Sequence, residues 1–308
     1  MNKKLLQQSA MDCLKQCEFA EETAHNALGH AAWLALAFSR LDETKALNWL
    51  KDALSSQSVP AAMLHPSSLP LYGWVLGHLY QISKGKPAFL KELRPVYGEI
   101  FALHQHLYTH YDLSGDGLIA SAKGGSEGVT SSHTLNNGVT SEGVTLSHTL
   151  TNCIEDPFFN AMMIWSNENL IRIGGLLHED VQEVIEWYDL ATWSMNEKLW
   201  DENAGRYLLF DLSGQSTIAT TSINGFLPMA AGIPTQEQAE VMHEAVLLHP
   251  LDPHEWTQNW LLYKGLLRYG MRETAADLKR ETLAAALSYP ADTVEKAAIV
   301  LEWLCANR

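Results

Sequence analysis

The sequence predicts an all-α protein arranged as a ring of helical hairpins, and three observations lead there. Apolar residues recur at helical spacing in eleven stretches, strand-like signal is confined to short pieces such as 206–210, and most stretches are joined by short turns. Helices of this number and length suit paired hairpins better than a four-helix bundle. A repeat solenoid competes, but no helix pair returns at a fixed period.

In chain order the helices are expected at 3–20, 23–38, 43–55, 69–83, 87–111, 157–177, 181–199, 235–248, 255–269, 272–287 and 293–306. The strand at 206–210 follows the turn Glu202-Asn203-Ala204-Gly205. One segment breaks the helical pattern. Residues 114–152 are rich in Gly, Ser, Thr and Asn and contain a duplication, SEGVTSSHTL at 126–135 returning as SEGVTLSHTL at 141–150. A long flexible loop is expected there, either a low-complexity insert or a lid over a pocket. The whole chain, 1–308, is expected to form one domain around this loop.

Charge narrows the partners. With 21 Lys+Arg against 36 Asp+Glu the net charge is −15, which argues against nucleic acid or an anionic membrane surface. No apolar run is long enough to span a bilayer, and the N-terminus lacks the apolar core of a signal peptide, so a cytoplasmic location is expected. The four cysteines, Cys13, Cys17, Cys153 and Cys305, are too few and scattered for a disulfide framework.

The stretch 156–234 is the most informative about chemistry. Its helices place Trp165 beside Asn167 and Glu168, and Trp193 beside Asn196, Glu197 and Trp200. A face mixing indoles, amides and carboxylates is poor core material, because each buried polar atom needs a partner. It is good material for gripping a neutral sugar or polyol: indoles stack on a pyranose while amides bond its hydroxyls.

The runs DPFFNAMMIWSNENLIRIGGLL, LWDENAGRY, SINGFLPMAAGIPTQEQA and EWTQNWLLYKGLLRYG resemble the catalytic domain of the glycosidases that include processing α-glucosidase and mannosylglycerate hydrolase, relatives of the trehalases. HNALGHAAWLALAFSRLD, SLPLYGWVLGHLY and HYDLSGDGLI fit the same pattern upstream, so the resemblance covers about residues 24–302. It implies an (α/α)6 toroid with a central sugar pocket and inverting hydrolysis of a glycosidic bond. Such hydrolysis uses one carboxylic acid to protonate the leaving oxygen and one carboxylate to activate water.

Both implied catalytic positions are altered. The family's acid is an aspartate in a loop just ahead of the DPxFN helix. In SEGVTSSHTL, Thr130 falls on that aspartate and His133 on a following proline, and the second copy puts Thr145 there. The family's base is a glutamate in a GFYEYFDP-like segment; the matching stretch AALSYPADTV keeps Tyr289 and Pro290 but no glutamate. Candidate substitutes are Glu127 or Glu142 for the acid and Glu255 or Asp292 for the base. The resemblance implies that Trp165, Asn167, Glu168, Trp193, Asn196, Trp256, Asn259 and Trp260 stand at inner-helix ends as substrate-binding residues. Toroid core is the alternative for each tryptophan.

No cofactor or metal is expected. His104, His106 and His110 include an i,i+4 pair without a third ligand. Asp112-x-Ser114-x-Asp116-Gly117 resembles half an EF-hand loop, but Lys123 stands where the bidentate glutamate belongs, so a tight turn with at most weak calcium affinity is expected. Gly124-Gly125 lacks the lysine and following helix of a phosphate loop.

Overall fold

A computed structural model describes residues 3–21, 28–54, 70–122, 153–288 and 291–305. Among them are twelve α-helices: α1 (Lys3–Glu21), α2 (Leu28–Phe38), α3 (Glu43–Leu54), α4 (Tyr72–Ile82), α5 (Pro87–Tyr111), α6 (Pro157–Leu177), α7 (Gln182–Ser194), α8 (Pro228–Ala231), α9 (Gln236–Leu248), α10 (Trp256–Arg268), α11 (Arg272–Ser288) and α12 (Val294–Cys305). Eleven match the helices expected from periodicity. The twelfth, α8, is a single turn within SINGFLPMAAGIP, too short to carry a period. Helix α7 leads into a π-turn at Met195–Leu199, where a helix to 199 was expected.

The even-numbered helices form the inner ring. Helix α12 packs on α2, α2 on α4, α4 on α6, α6 on α8, α8 on α10 and α10 on α12, which closes the circle. The helices that carry Trp165 and Trp256, α6 and α10, are therefore both on the inner ring. Composition explains the sorting: all of Ala31–Phe38 in α2 and all of Tyr72–Leu79 in α4 are buried, as a helix covered on every side requires. Odd-numbered helices pack outside, and α1 lies against α12.

Chain direction then separates two mouths. The inner-to-outer connections at 39–42, 83–86, 178–181, 232–235 and 269–271 are three or four residues each, and α2–α3, α4–α5, α6–α7 and α10–α11 pack as tight antiparallel hairpins. The six inner helices run parallel and begin at one mouth. Among the described residues, the longer connections 195–227 and 249–255 lead into inner helices at this N-terminal mouth.

Caps fix where these helices begin and end. Asp156 caps α6 by accepting a hydrogen bond from the Phe158 amide, with Pro157 following. His178 ends α6 at φ 58°, and its amide and that of Glu179 return to the Gly175 and Gly174 carbonyls. Thr235 and Gln238 form a reciprocal capping box on α9. Glycine permits the close approach of α4 to α6: a Cβ on Gly73 would collide with the Ser166 hydroxyl and carbonyl.

Two small sheets lie on the long connections. An antiparallel sheet in the order β1-β2-β5-β6 joins Ala120–Ala122, Cys153–Glu155, Leu209–Asp211 and Ser216–Ile218. Strand β3 (Trp200–Asp201) pairs with β4 (Arg206–Tyr207). The strand expected at 206–210 is thus divided between two sheets. Within the expected loop at 114–152, residues 114–122 form a tight turn and strand β1, and the remainder lies outside the described residues.

Four inner helices contribute an indole to the axis. Trp74 lies 4.9 Å from Trp165 and 5.2 Å from Trp260, and Trp33 lies 5.7 Å from Trp260. Tilted and edge-on contacts of this kind add about 0.5–1.5 kcal/mol each beyond area burial. Toward the opposite mouth, the buried Glu302 carboxylate receives Lys264 at 3.0 Å and Arg40 at 3.2 Å, with His78 Nε2 3.5 Å away.

Candidate functional site

The N-terminal mouth holds a cavity of about 490 Å³. One wall is the segment 220–224, which leads into the 3₁₀ turn Ile223–Phe226 ahead of α8. The other is 249–252 with Glu255 and Gln258, at the start of α10. A cleft of about 10 Å³, room for roughly one water, continues from Thr220, Ser222 and Asn224 to the buried Asp156 at the head of α6. The cavity thus lies in the α8–α10 sector of the mouth.

Local sequence shapes both walls. Ser222 caps the 3₁₀ turn by accepting from the Asn224 amide at 3.2 Å. Asp252 accepts from the His254 amide at 2.9 Å, which folds 252–255 into a turn that delivers Glu255 to the cavity. The Asn259 Nδ2 donates to the Asp252 carbonyl at 2.8 Å, tying this turn to α10, while its buried Oδ1 has no hydrogen-bond partner. Burial, with Arg206 as a second cause, lowers the His249 pKa.

The four proposed catalytic carboxylates part company. Glu255 lines the cavity and is exposed, and its side chain makes no capping bond to α10. Asp292 lies just ahead of α12 and accepts from Lys296 at 2.8 Å, a bond that holds its pKa below the ordinary value. Glu127 and Glu142 fall outside the described residues, as do Thr130, His133, Thr145, Tyr289 and Pro290.

The proposed binding residues occupy three settings. Trp165 and Trp260 are buried in the axial indole cluster, and the Trp260 Nε1 is unpartnered. Trp256 is buried near the mouth under the Lys296 ammonium, 5.5 Å from its ring. Asn259 supports the cavity wall as described.

The remaining residues are tied elsewhere. Asn167 belongs to a chain of hydrogen bonds across three helices. The Gly73 amide donates to Ser166 Oγ at 2.9 Å, and Ser166 lies 3.2 Å from His104 Nε2. His104 Nδ1 lies 2.7 Å from Asn167 Oδ1, and Asn167 Nδ2 donates to Tyr108 at 2.9 Å. Each atom finds a partner when the His104 proton is on Nδ1. Glu168 accepts two bonds from Arg268 on α10, at 3.0 and 2.6 Å. Asn196 donates to the Thr192 and Ile233 carbonyls and accepts from Tyr207. Trp193 projects from α7 with 61% of its surface exposed.

The half EF-hand motif is a turn filled by an ammonium. The Asp112 carboxylate accepts from the Asp116 and Gly117 amides at 3.1 and 2.9 Å. Lys198 Nζ lies 2.7 Å from Asp116 and 2.6 Å from the fully buried Glu155, over the Phe210 ring. The cation of this loop is a side chain from the π-turn. Among the described residues no group of three or more His, Cys, Asp or Glu is placed to hold a metal ion, and no helix is long and apolar enough to cross a membrane.

Sequence reasoning reached Glu255 and Asn259 but passed over Asp156, Thr220, Ser222, Asn224 and Asp252. The available signal was the polar run Thr220-Thr221-Ser222 between a strand and a capped turn.

A family described as the mannosylglycerate hydrolase MGH1-like glycoside hydrolase domain matches residues 25–257. This chain belongs to that family. Mannosylglycerate hydrolase of Thermus thermophilus is 32% identical over 154 residues, covering 42% of this chain and 37% of the relative. Mannosylglycerate hydrolase MGH2 of Selaginella moellendorffii is 29% identical over 157 residues, covering 42% and 31%. The matched segment therefore spans only about a third of these relatives' own length.

Solved structures share the fold over nearly the whole chain. The GH63 mannosylglycerate hydrolase from a second strain of Thermus thermophilus, in complex with Tris, superposes with a TM-score of 0.79 at 18% identity, covering 97% of this chain and 99% of that one. Neutral trehalase Nth1 from Saccharomyces cerevisiae gives 0.59 at 12% identity, covering 89% and 71%. The fold is the six-hairpin toroid of this glycosidase class.

Proposed function

We propose that this glycoside hydrolase-family protein binds a small neutral glycoside or polyol in the cavity between segment 220–224 and the start of α10. The observation that carries this reading is the cavity itself. It is about 490 Å³, opens at the mouth that receives the long connections, and is lined by hydroxyl, amide and carboxylate groups. Such groups exchange hydrogen bonds with sugar hydroxyls while the surrounding fold keeps them in place.

Inverting hydrolysis is the reaction the family membership favours. On this reading the water-activating base is Glu255, which among the described catalytic candidates lines the cavity. Protonation of the leaving oxygen then falls to Glu127 or Glu142 of the duplicated segment. Asp292 suits the acid role poorly because Lys296 lowers its pKa, and the base role poorly because the same ammonium occupies its carboxylate. A second reading, binding without turnover, is favoured by Thr130 and Thr145 at the family's acid position: a hydroxyl does not replace a carboxylic acid as proton donor near neutral pH.

Titration calorimetry with methyl α-glucosides and α-mannosides, alongside release of aryl α-glycosides, tests both. Binding that survives Glu255→Gln while turnover drops at least about a hundredfold supports the hydrolase reading. Binding with no turnover in the unaltered protein selects the second reading. No heat with any glycoside refutes both.

A further inference from the structure

We propose that His106 and His110, in the last turns of α5, form a surface site for a divalent transition-metal ion such as Cu²⁺, Ni²⁺ or Zn²⁺.

Helix geometry brings the pair together. Residues four apart on an α-helix differ by about 40° around its axis and stand about 5–6 Å apart at Cβ. His104, two residues before the pair, faces α6 and is fully buried. His106 and His110 are therefore turned outward, His106 half-buried and His110 exposed. Their rings lie 4.3 Å apart between centroids, with 24° between planes. An ion bonded to each imidazole at about 2.0–2.1 Å spans a pair at this separation.

The hydrogen bond of His110 is a second observation that points to a ligand. Its Nδ1 lies 2.9 Å from the His106 carbonyl oxygen. A carbonyl oxygen only accepts, so Nδ1 carries the proton, and the neutral ring keeps its lone pair on Nε2. Ligating histidines use this arrangement: one nitrogen donates to a carbonyl, which fixes the tautomer and the ring orientation, and the other takes the metal. Water completes the coordination of an ion held by two imidazoles. Imidazole selects Cu²⁺, Ni²⁺ and Zn²⁺ over Mg²⁺ and Ca²⁺, which require oxygen.

The site is separate from the sugar cavity and does not depend on it. Helix α5 packs on α4 and α6, whereas the cavity lies between the segment ahead of α8 and the start of α10. An ion shared by His106 and His110 clamps the end of α5 against fraying. Because the unfolded chain does not hold the two rings in this register, the ion stabilises the folded state by mass action.

Calorimetry on the intact, untagged protein at about pH 7.5, above the ordinary histidine range, tests the proposal with Cu²⁺, Ni²⁺, Zn²⁺ and Mg²⁺ salts. Cu²⁺ should bind more tightly than Ni²⁺ or Zn²⁺, and Mg²⁺ should give no heat. His106→Gln and His110→Gln, each checked for a native melting transition, should weaken this binding at least about tenfold, since loss of an outer partner alone costs that much. Ni²⁺ should raise the melting temperature of the unaltered protein and leave that of either variant unchanged. Should a variant not fold, selective broadening of the His106 and His110 ring resonances by substoichiometric Cu²⁺ locates the ion in the unaltered protein. Absence of Cu²⁺ and Ni²⁺ binding, titrations that both variants leave unaltered, or broadening confined to other residues would overturn the inference.

Discussion

Lys198 shows what a single residue contributes. It supplies the positive charge for Glu155, which is fully buried, and for Asp116 in the turn after α5. Burial raises the Glu155 pKa, and the bonds from Lys198 and Ser114 oppose that rise. Removing one partner of a buried pair leaves the other charge uncompensated, at about 3–5 kcal/mol. Lys198→Met is therefore expected to lower the free energy of unfolding by about 3 kcal/mol, read from urea denaturation; a change below ~0.5 kcal/mol would mean the pair is solvated.

The same scale sets the acid sensitivity. Burial lowers the pKa of both His78 and His104 to about 4. Between the unfolded value of about 6.5 and that level, the unfolded chain binds protons the native state refuses, so stability falls as pH drops. Glu302 continues the trend lower down. Burial raises its pKa, but Lys264, His78 and Arg40 together outweigh burial and hold it at about 2, so its contribution is lost from about 4.5 downward. The urea midpoint should be lower at pH 5 than at pH 7; an equal or higher midpoint would contradict this assignment. The partners of these groups were hidden in sequence, because His104 meets Asn167 sixty-three residues away. A polar residue tied to another helix and one aimed at a ligand look alike in a linear pattern.

At the scale of elements, helices of eleven residues or more were legible because their apolar positions repeat over several turns. Helix α8 was not, since four residues complete barely one turn. It is held instead by Pro228 at its start, by Gly232 at φ 73° after its end, and by packing between α6 and α10. A Cβ on Gly232 would both strain the backbone and strike the Arg268 guanidinium that pairs with Glu168. Gly232→Ala is expected to cost about 2 kcal/mol, measured as a fall in melting temperature; an unchanged melt would show that α8 is not a fixed member of the ring. Apart from β4 and β5, expected as one strand at 206–210, the strands escaped for a related reason: at two or three residues each, they show no alternation.

At the scale of the molecule, the toroid was legible through its ordered family motifs, but the position of the open cavity was not. Inner-ring tryptophans suggested a pocket at the axis, and Trp33, Trp74, Trp165 and Trp260 of the inner helices contact one another. A cavity is lined by the 220–224 segment and the turn before α10. Its position depends on how two long connections leave the ring, which residue periodicity does not encode. A crystal structure of the protein soaked with methyl α-glucoside tests the placement most directly. Sugar density between Asn224 and Glu255, with hydroxyls bonded to both walls, is the expected result; an empty cavity with sugar bound elsewhere on the toroid would contradict it.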